Sequence, residues 1–120
     1  MKMSVCKMFR FDAAHYLPNY EGKCKNLHGH TWTLEVEVLG NVNPTSGLVI
    51  DFVELKSVVN QMIVDKLDHT LLNDTVKNPT CENLLDWIAT QLDWESDSDP
   101  LEVCRLRLYE TPDSFAELKL

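Results

Sequence analysis

The sequence predicts an α+β domain: a four-stranded antiparallel sheet with two helices packed on one face, in the order ββααββ. Three observations carry that prediction. Residues 31–39 (TWTLEVEVL) alternate apolar and polar without a break, the pattern of a strand buried on one side only. Behind Asp51, with Glu54 three residues on in a capping-box-like start, Leu55, Val58, Val59, Met62 and Ile63 follow helical spacing. Strand patterns lie toward both ends of the chain and helix patterns lie together between them, which argues segregated rather than alternating elements.

Residues 3–14 place Val5, Phe9, Phe11 and Ala13 on one parity and form the first strand. Residues 15–30 are a polar connector containing Pro18, Asn19, Gly22 and Gly29. The second strand then puts Trp32, Leu34, Val36 and Val38 opposite Thr31, Thr33, Glu35 and Glu37. GNVNPTSG, residues 40–47, is turn chemistry, and 48–50 are a short return segment. The first helix ends near Leu67, and a loop holding Asp68, His69 and Asn73 runs to Pro79. Thr80 is an N-cap for a second helix that buries Leu84, Leu85, Ile88 and Leu92. The acidic stretch 95–99 reads as a solvated loop; alternation returns over 101–109, and 115–120 supplies the last strand. No repeat, low-complexity tract or linker divides the chain, so residues 1–120 read as a single domain. The far face of the sheet is not wholly polar, so further copies of the chain are expected to complete it.

Composition narrows the function classes. With 44% hydrophobic and 25% charged residues the chain reads as a globular protein. No apolar run reaches the ~18 residues needed to cross a bilayer, and the N-terminus lacks the apolar stretch of a signal peptide. A cytoplasmic protein without a membrane partner is expected. The net charge of −8, with no long Lys/Arg run, argues against nucleic acid as a partner. Cys6, Cys24, Cys81 and Cys104 are widely and irregularly spaced, so thiols rather than disulfides are expected, with three of them as small core residues.

The chemistry concentrates in KCKNLHGHTW, residues 23–32. His28 and His30 are two apart at the start of a strand, so both side chains share one face. His15 ends the first strand, and an antiparallel hairpin brings it to the same place. Three neutral imidazoles with an open fourth position make a catalytic zinc site. A closed structural site with Cys24 as fourth ligand satisfies the same spacing. Lys23 and Lys25 flank Cys24 and favour its thiolate, the form that acts as base or nucleophile. Asp68 beside His69 is a carboxylate placed to orient an imidazole for proton transfer. Glu110 ends an alternating strand on its apolar parity, where a carboxylate suits a bidentate contact with the amidine-like edge of a guanine or pterin ring or simply reaches solvent.

FDAAH (11–15), CKNLHGH (24–30), GLVIDFVELK (47–56), LDHTLLN (67–73), NPTCENL (78–84) and LYET (108–111) together resemble the 6-pyruvoyl-tetrahydropterin synthase family over nearly the whole chain. The spacing C-x-x-x-H-G-H resembles the branch that forms 6-carboxy-tetrahydropterin in queuosine (7-deazaguanine) biosynthesis. The resemblance implies a tunnelling fold, in which three sheets join into a barrel and two trimers stack into a homohexamer with active sites between subunits. It also implies Zn²⁺ on His15, His28 and His30, Cys24 as the proton-abstracting base, and Asp68 with His69 as a relay. Glu110 would anchor the pterin with Thr111 beside it, and Thr80 and Glu82 would shape the pocket. The substrate implied is 7,8-dihydroneopterin triphosphate, with Lys23 and Lys25 as partners for its phosphates and acetaldehyde as a product. A lyase of the 6-pyruvoyl branch and a non-catalytic zinc-stabilised module remain the alternatives.

Overall fold

The computed structural model describes residues 1–92 and 101–120; the expected acidic loop at 95–99 lies outside them. Strands β1 (Lys2–His15) and β2 (His28–Asn41) form one antiparallel ladder running from Lys2 opposite Asn41 to His15 opposite His28. Helix α1 (Phe52–Val59) starts at Asp51, whose carboxylate accepts from the Val53 amide at 2.8 Å. It continues through a π-helical turn, Asn60–Val64, into a last turn, α2 (Asp65–Leu67). Strand β3 (Thr70–Leu71) follows, then a 3₁₀ turn over Leu72–Asp74 and helix α3 (Cys81–Gln91), capped by Thr80. Strands β4 (Glu102–Thr111) and β5 (Ser114–Lys119) add antiparallel to β2 and to each other.

The sheet order is β3-β1-β2-β4-β5, which corrects the expectation of four strands. The fifth strand, β3, is two residues long, too short for any hydrophobic period to reveal it. It runs parallel to β1 at Ala13 and Ala14, so the sheet is mixed rather than wholly antiparallel. Strand β2 also begins earlier than expected, at His28 rather than Thr31. Polar histidines and a glycine masked a strand end because that end lies past the edge of the apolar core.

The helices cover one face, as expected. Phe9, Phe11, Trp32, Leu34, Val36, Leu106 and Leu108 meet Leu55, Val59 and Ile63 from the first helix and Leu84, Leu85 and Ile88 from α3. Each such side chain contributes about 1.5–3 kcal/mol when fully buried. The other face carries an ion-pair network: Arg105 lies 3.0 Å from Glu37 and 3.3 Å from Glu117, and Arg107 lies 2.7 Å from Glu117. The radius of gyration is 15.7 Å, above the ~14 Å of a compact domain of this length. The excess comes from the long hairpin, with the molecule extending 54 × 22 × 22 Å. Among the described residues no helix is long and apolar enough to cross a membrane.

The cysteines meet the expectation of core positions only in part: Cys81 packs against the core, and Cys6 and Cys104 do not belong to it. All four are free; Cys6 is exposed, and Cys81 and Cys104 are half-buried. Cys6 shares the parity of Met8 and Arg10, which face away from the helices. Cys104 is the extra residue where the pairing of β2 with β4 slips between Glu37 and Val38, a bulge that turns its thiol onto the Glu37 carboxylate at 3.2 Å. Burial first, and neighbouring carboxylates after it, push the Cys81 and Cys104 thiols up to about 11, which disfavours the thiolate.

Candidate metal centre and active site

The far end of the β1–β2 ladder assembles the histidines. Pleating puts His15, His28 and His30 on the helix-facing side, in line with Phe11 and Trp32, just past the edge of the apolar core. Their ring centroids lie 4.5, 4.9 and 5.3 Å apart, and one ligand nitrogen from each falls within 4.8 Å of the others. His15 is fully buried. Its Nδ1–H donates to the Pro79 carbonyl at 2.8 Å, and the Nδ1–H of His28 donates to the Asn26 carbonyl at 2.8 Å. A carbonyl only accepts, so both tautomers are set and both Nε2 atoms keep a free lone pair.

That arrangement fits a metal. The Nε2 atoms of His15 and His30 are buried without a hydrogen-bond partner. A buried orphan costs ~1–3 kcal/mol, and two converging on one point are hard to explain as structure. Burial pulls both imidazoles below their ordinary pKa, keeping them neutral, the form that ligates. Glu110 Oε1 lies 3.3 Å from His15 Nε2 and 3.8 Å from His30 Nε2, so its carboxylate meets the lone pairs rather than passing out beyond the sheet edge. A cation held by the three imidazoles would satisfy the orphaned nitrogens and sit beside the carboxylate. The group of converging ligands within the chain is the three histidines and does not include Cys24.

Gly29 between the histidines is not demanded by packing, since a Cβ there meets only the Ala13 carbonyl at 3.8 Å. Its bareness keeps open the rims of two clefts that share Gly29, His30 and Thr31. One, of about 700 Å³, is lined by Asp12, Leu27, His69 and Thr70; the other, of about 660 Å³, by Arg10, Tyr109, Glu110 and Thr111. A third, of about 500 Å³, joins Glu110 to Cys81 and Glu82 at the start of α3. Thr80 accepts from the Asn83 amide at 3.0 Å, which is the expected cap. Thr111 donates to Asp113 at 2.8 Å.

Cys24 sits in a 3₁₀ turn, Lys23–Lys25, held by the Leu17 amide donating to its carbonyl at 2.9 Å. Gly22 sets that turn with φ +151°, where a Cβ would fall 2.7 Å from the Tyr20 ring. Cys24 and both lysines line none of the three clefts.

Asp68 and His69 form a second cluster against the outer edge of β1. Asp68 Oδ2 is 3.0 Å from His69 Nδ1, and Asp68 Oδ1 accepts from the Asp12 amide at 2.9 Å. The Asp12 amide first, and His69 after it, hold the Asp68 carboxyl below its ordinary range. His69 has φ +60°, a left-handed conformation that costs a non-glycine residue ~1–2 kcal/mol. Its amide donates to the Asp12 carbonyl at 2.6 Å. Sequence reasoning passed over Asp12, Thr31 and Pro79; an acid on the polar parity of an edge strand, opposite a threonine, was the available signal for the first two.

These features define a class: a small α+β domain whose histidine triad and nearby Asp–His pair meet at a cleft lined by His30 and His69, the equipment of an enzyme. Residues 4–120 match the profile of the family described as 6-pyruvoyl tetrahydropterin synthase, and the chain belongs to that family. The chain is 33% identical to the 6-carboxy-5,6,7,8-tetrahydropterin synthase of Haemophilus influenzae, over 94% of this chain and 96% of that protein. It is 39% identical to the dihydroneopterin monophosphate aldolase of Pyrococcus furiosus, over 99% of each. The 6-pyruvoyl tetrahydropterin synthase of Caenorhabditis elegans shares its fold with a TM-score of 0.86 at 26% identity, covering 100% of this chain and 96% of that one. The expected family and the expectation of an enzyme are both borne out.

Proposed function

We propose that the protein is a zinc-dependent lyase that converts 7,8-dihydroneopterin triphosphate to 6-carboxy-5,6,7,8-tetrahydropterin, releasing acetaldehyde and triphosphate, in queuosine biosynthesis. The observation that carries the reading is the pair of buried, unpartnered Nε2 atoms on His15 and His30 facing Glu110. Three imidazoles with a free position suit tetrahedral zinc. Zinc held by His15, His28 and His30 supplies Lewis acidity where negative charge develops on the substrate side chain.

The chain's own residues do the rest. Cys24, as thiolate, removes a carbon-bound proton, and His69, oriented by Asp68, carries protons at the other side of the chain being cleaved. Glu110 accepts from the amidine-like edge of the pterin, with Thr111 beside it and Thr80 and Glu82 shaping the pocket around the start of α3. Lys23 and Lys25 meet the phosphates. The active sites lie between subunits of a cytoplasmic homohexamer. The outer edge of β5, that of β1 before Asp12, unpaired among the described residues, and the elongated shape support it.

A second reading has a specific observation behind it. The P. furiosus aldolase aligns in 119 positions over 99% of both chains, almost without gaps, whereas the H. influenzae alignment stretches to 138 positions for 94% of this chain. On that reading the substrate is dihydroneopterin monophosphate and the step is an aldol cleavage. Incubating zinc-loaded protein separately with the triphosphate and the monophosphate, and identifying products by mass, decides. Carboxytetrahydropterin with acetaldehyde supports the first reading and aldol fragments the second; a pyruvoyl product without acetaldehyde assigns the third branch. No turnover of either substrate by a folded, zinc-loaded hexamer rejects all three.

A further inference from the structure

Asp12 does three things at once. Its amide donates to Asp68 Oδ1 at 2.9 Å, its carbonyl accepts the His69 amide at 2.6 Å, and its carboxylate accepts the Thr31 hydroxyl at 2.5 Å. The last is in the range of a charge-assisted bond. Asp12 and Thr31 face each other across the β1–β2 ladder, on the rung next to the one that pairs Ala13 with His30. The main-chain groups of an edge strand ordinarily wait for another strand. Here they grip two residues of a loop, and β3 starts directly beyond them, against Ala13 and Ala14.

We propose that Asp12, locked by Thr31, is a positioning residue that fixes the Asp68–His69 pair to the same ladder that carries the histidine triad. The left-handed backbone at His69 persists only if its surroundings over-determine it. The two Asp12 main-chain bonds supply that constraint, and the Thr31 hydroxyl keeps Asp12 from rotating away. Val64 accepts the Asp68 amide at 2.8 Å and β3 pairs beyond, but at His69 itself the side chain is 79% exposed, so its backbone is held through Asp12. The clamp sets where the imbalance of a misplaced proton carrier would be felt, since a displacement near 1 Å can cost ~100-fold in rate.

This inference rests on the proposed relay role of Asp68 and His69, so its test has one arm that needs no substrate. In zinc-loaded hexamer, hydrogen exchange of the 68–71 amides rises about tenfold in Asp12→Ala and Thr31→Val while that of 52–59 stays as in the parent. In turnover, Asp12→Ala loses kcat by ~10–100-fold with KM and bound zinc unchanged. Asp12→Asn, which still accepts from Thr31, keeps kcat within about threefold. Unchanged exchange in both variants overturns the clamp whatever the substrate is. Faster exchange with unchanged kcat in Asp12→Ala overturns its part in the reaction, and an Asp12→Asn loss as large as that of Asp12→Ala means that charge, not position, is the contribution. If the parent turns over no pterin, the functional reading fails and the exchange arm alone decides the clamp.

Discussion

The sheet carries two polar clusters of comparable size, and they are built on opposite terms. On the open face Arg105, Arg107, Glu35, Glu37 and Glu117 pair with one another, each charge answered within 4 Å. At the end of the ladder His15 and His30 keep buried nitrogens that nothing among the described residues answers, and Glu110 adds a carboxylate to their lone pairs. A satisfied network is a finished structural feature. An unsatisfied one costs stability and persists only where a ligand completes it. The difference separates what holds this sheet from what the sheet holds.

The sharpest way to break that contrast is to remove groups at the incomplete cluster. His15→Ala is expected to abolish bound zinc and turnover together, whereas Cys24→Ala keeps one zinc per triad and loses ~10²–10⁴-fold in kcat/KM. Metal analysis beside kinetics reads both. If Cys24→Ala also sheds zinc, the thiol is a ligand and the open fourth position is wrong. Stripping zinc with a chelator lowers Tm but leaves far-ultraviolet dichroism intact, because the core comes from the sheet and helices. Zinc at ~1,000 times its Kd returns about 4 kcal/mol. Unfolding on chelation would place the protein among zinc-stabilised modules.

The two regions were unequally legible in the sequence. The apolar parity of Trp32, Leu34, Val36 and Val38 announced both a strand and its buried side, and the motifs around His15, His28 and His30 announced the triad. The partners on the main chain were invisible. That Pro79 orients His15, or that Asp12 holds His69, depends on carbonyls and amides that every residue owns, so no residue type flags them. Strand β3 was hidden for the same reason: its two residues pair through backbone alone. The charged network was half legible. Glu35 and Glu37 stood on the polar parity, but a pairing slip at Cys104 decides which charges meet.

Charge removal on the open face is expected to have a smaller effect, confined to stability and assembly. Arg105→Ala leaves Glu37 and Glu117 short of a partner and costs about 1 kcal/mol, with kcat unchanged per folded active site. The pH dependence follows from the carboxyls. The Cys104 thiol first, then Arg105, hold Glu37 below its ordinary pKa, and the Arg107 hydrogen bond does the same for Glu117. Groups whose folded pKa is depressed stabilise the fold above their ordinary value, near 4.3, and lose that contribution as pH falls through the folded one. The Tm difference between parent and Arg105→Ala should therefore be full at pH 7 and shrink below about pH 4. A difference independent of pH means the arginine acts by packing rather than by charge.

The smallest change sits at the seam between core and site. Thr80→Ala removes the side chain that caps α3 and costs ~1 kcal/mol, with Thr80→Ser close to the parent. Thr80 follows Pro79, whose carbonyl sets the tautomer of His15. Loosening the cap frees that carbonyl to drift, and zinc affinity should fall with it, toward the ~10-fold seen when an outer partner of a metal ligand is lost. Stability and zinc titrations on the same preparations separate the two effects. Loss of stability without loss of affinity would mean that Pro79 is held by the loop before it, not by the helix after it.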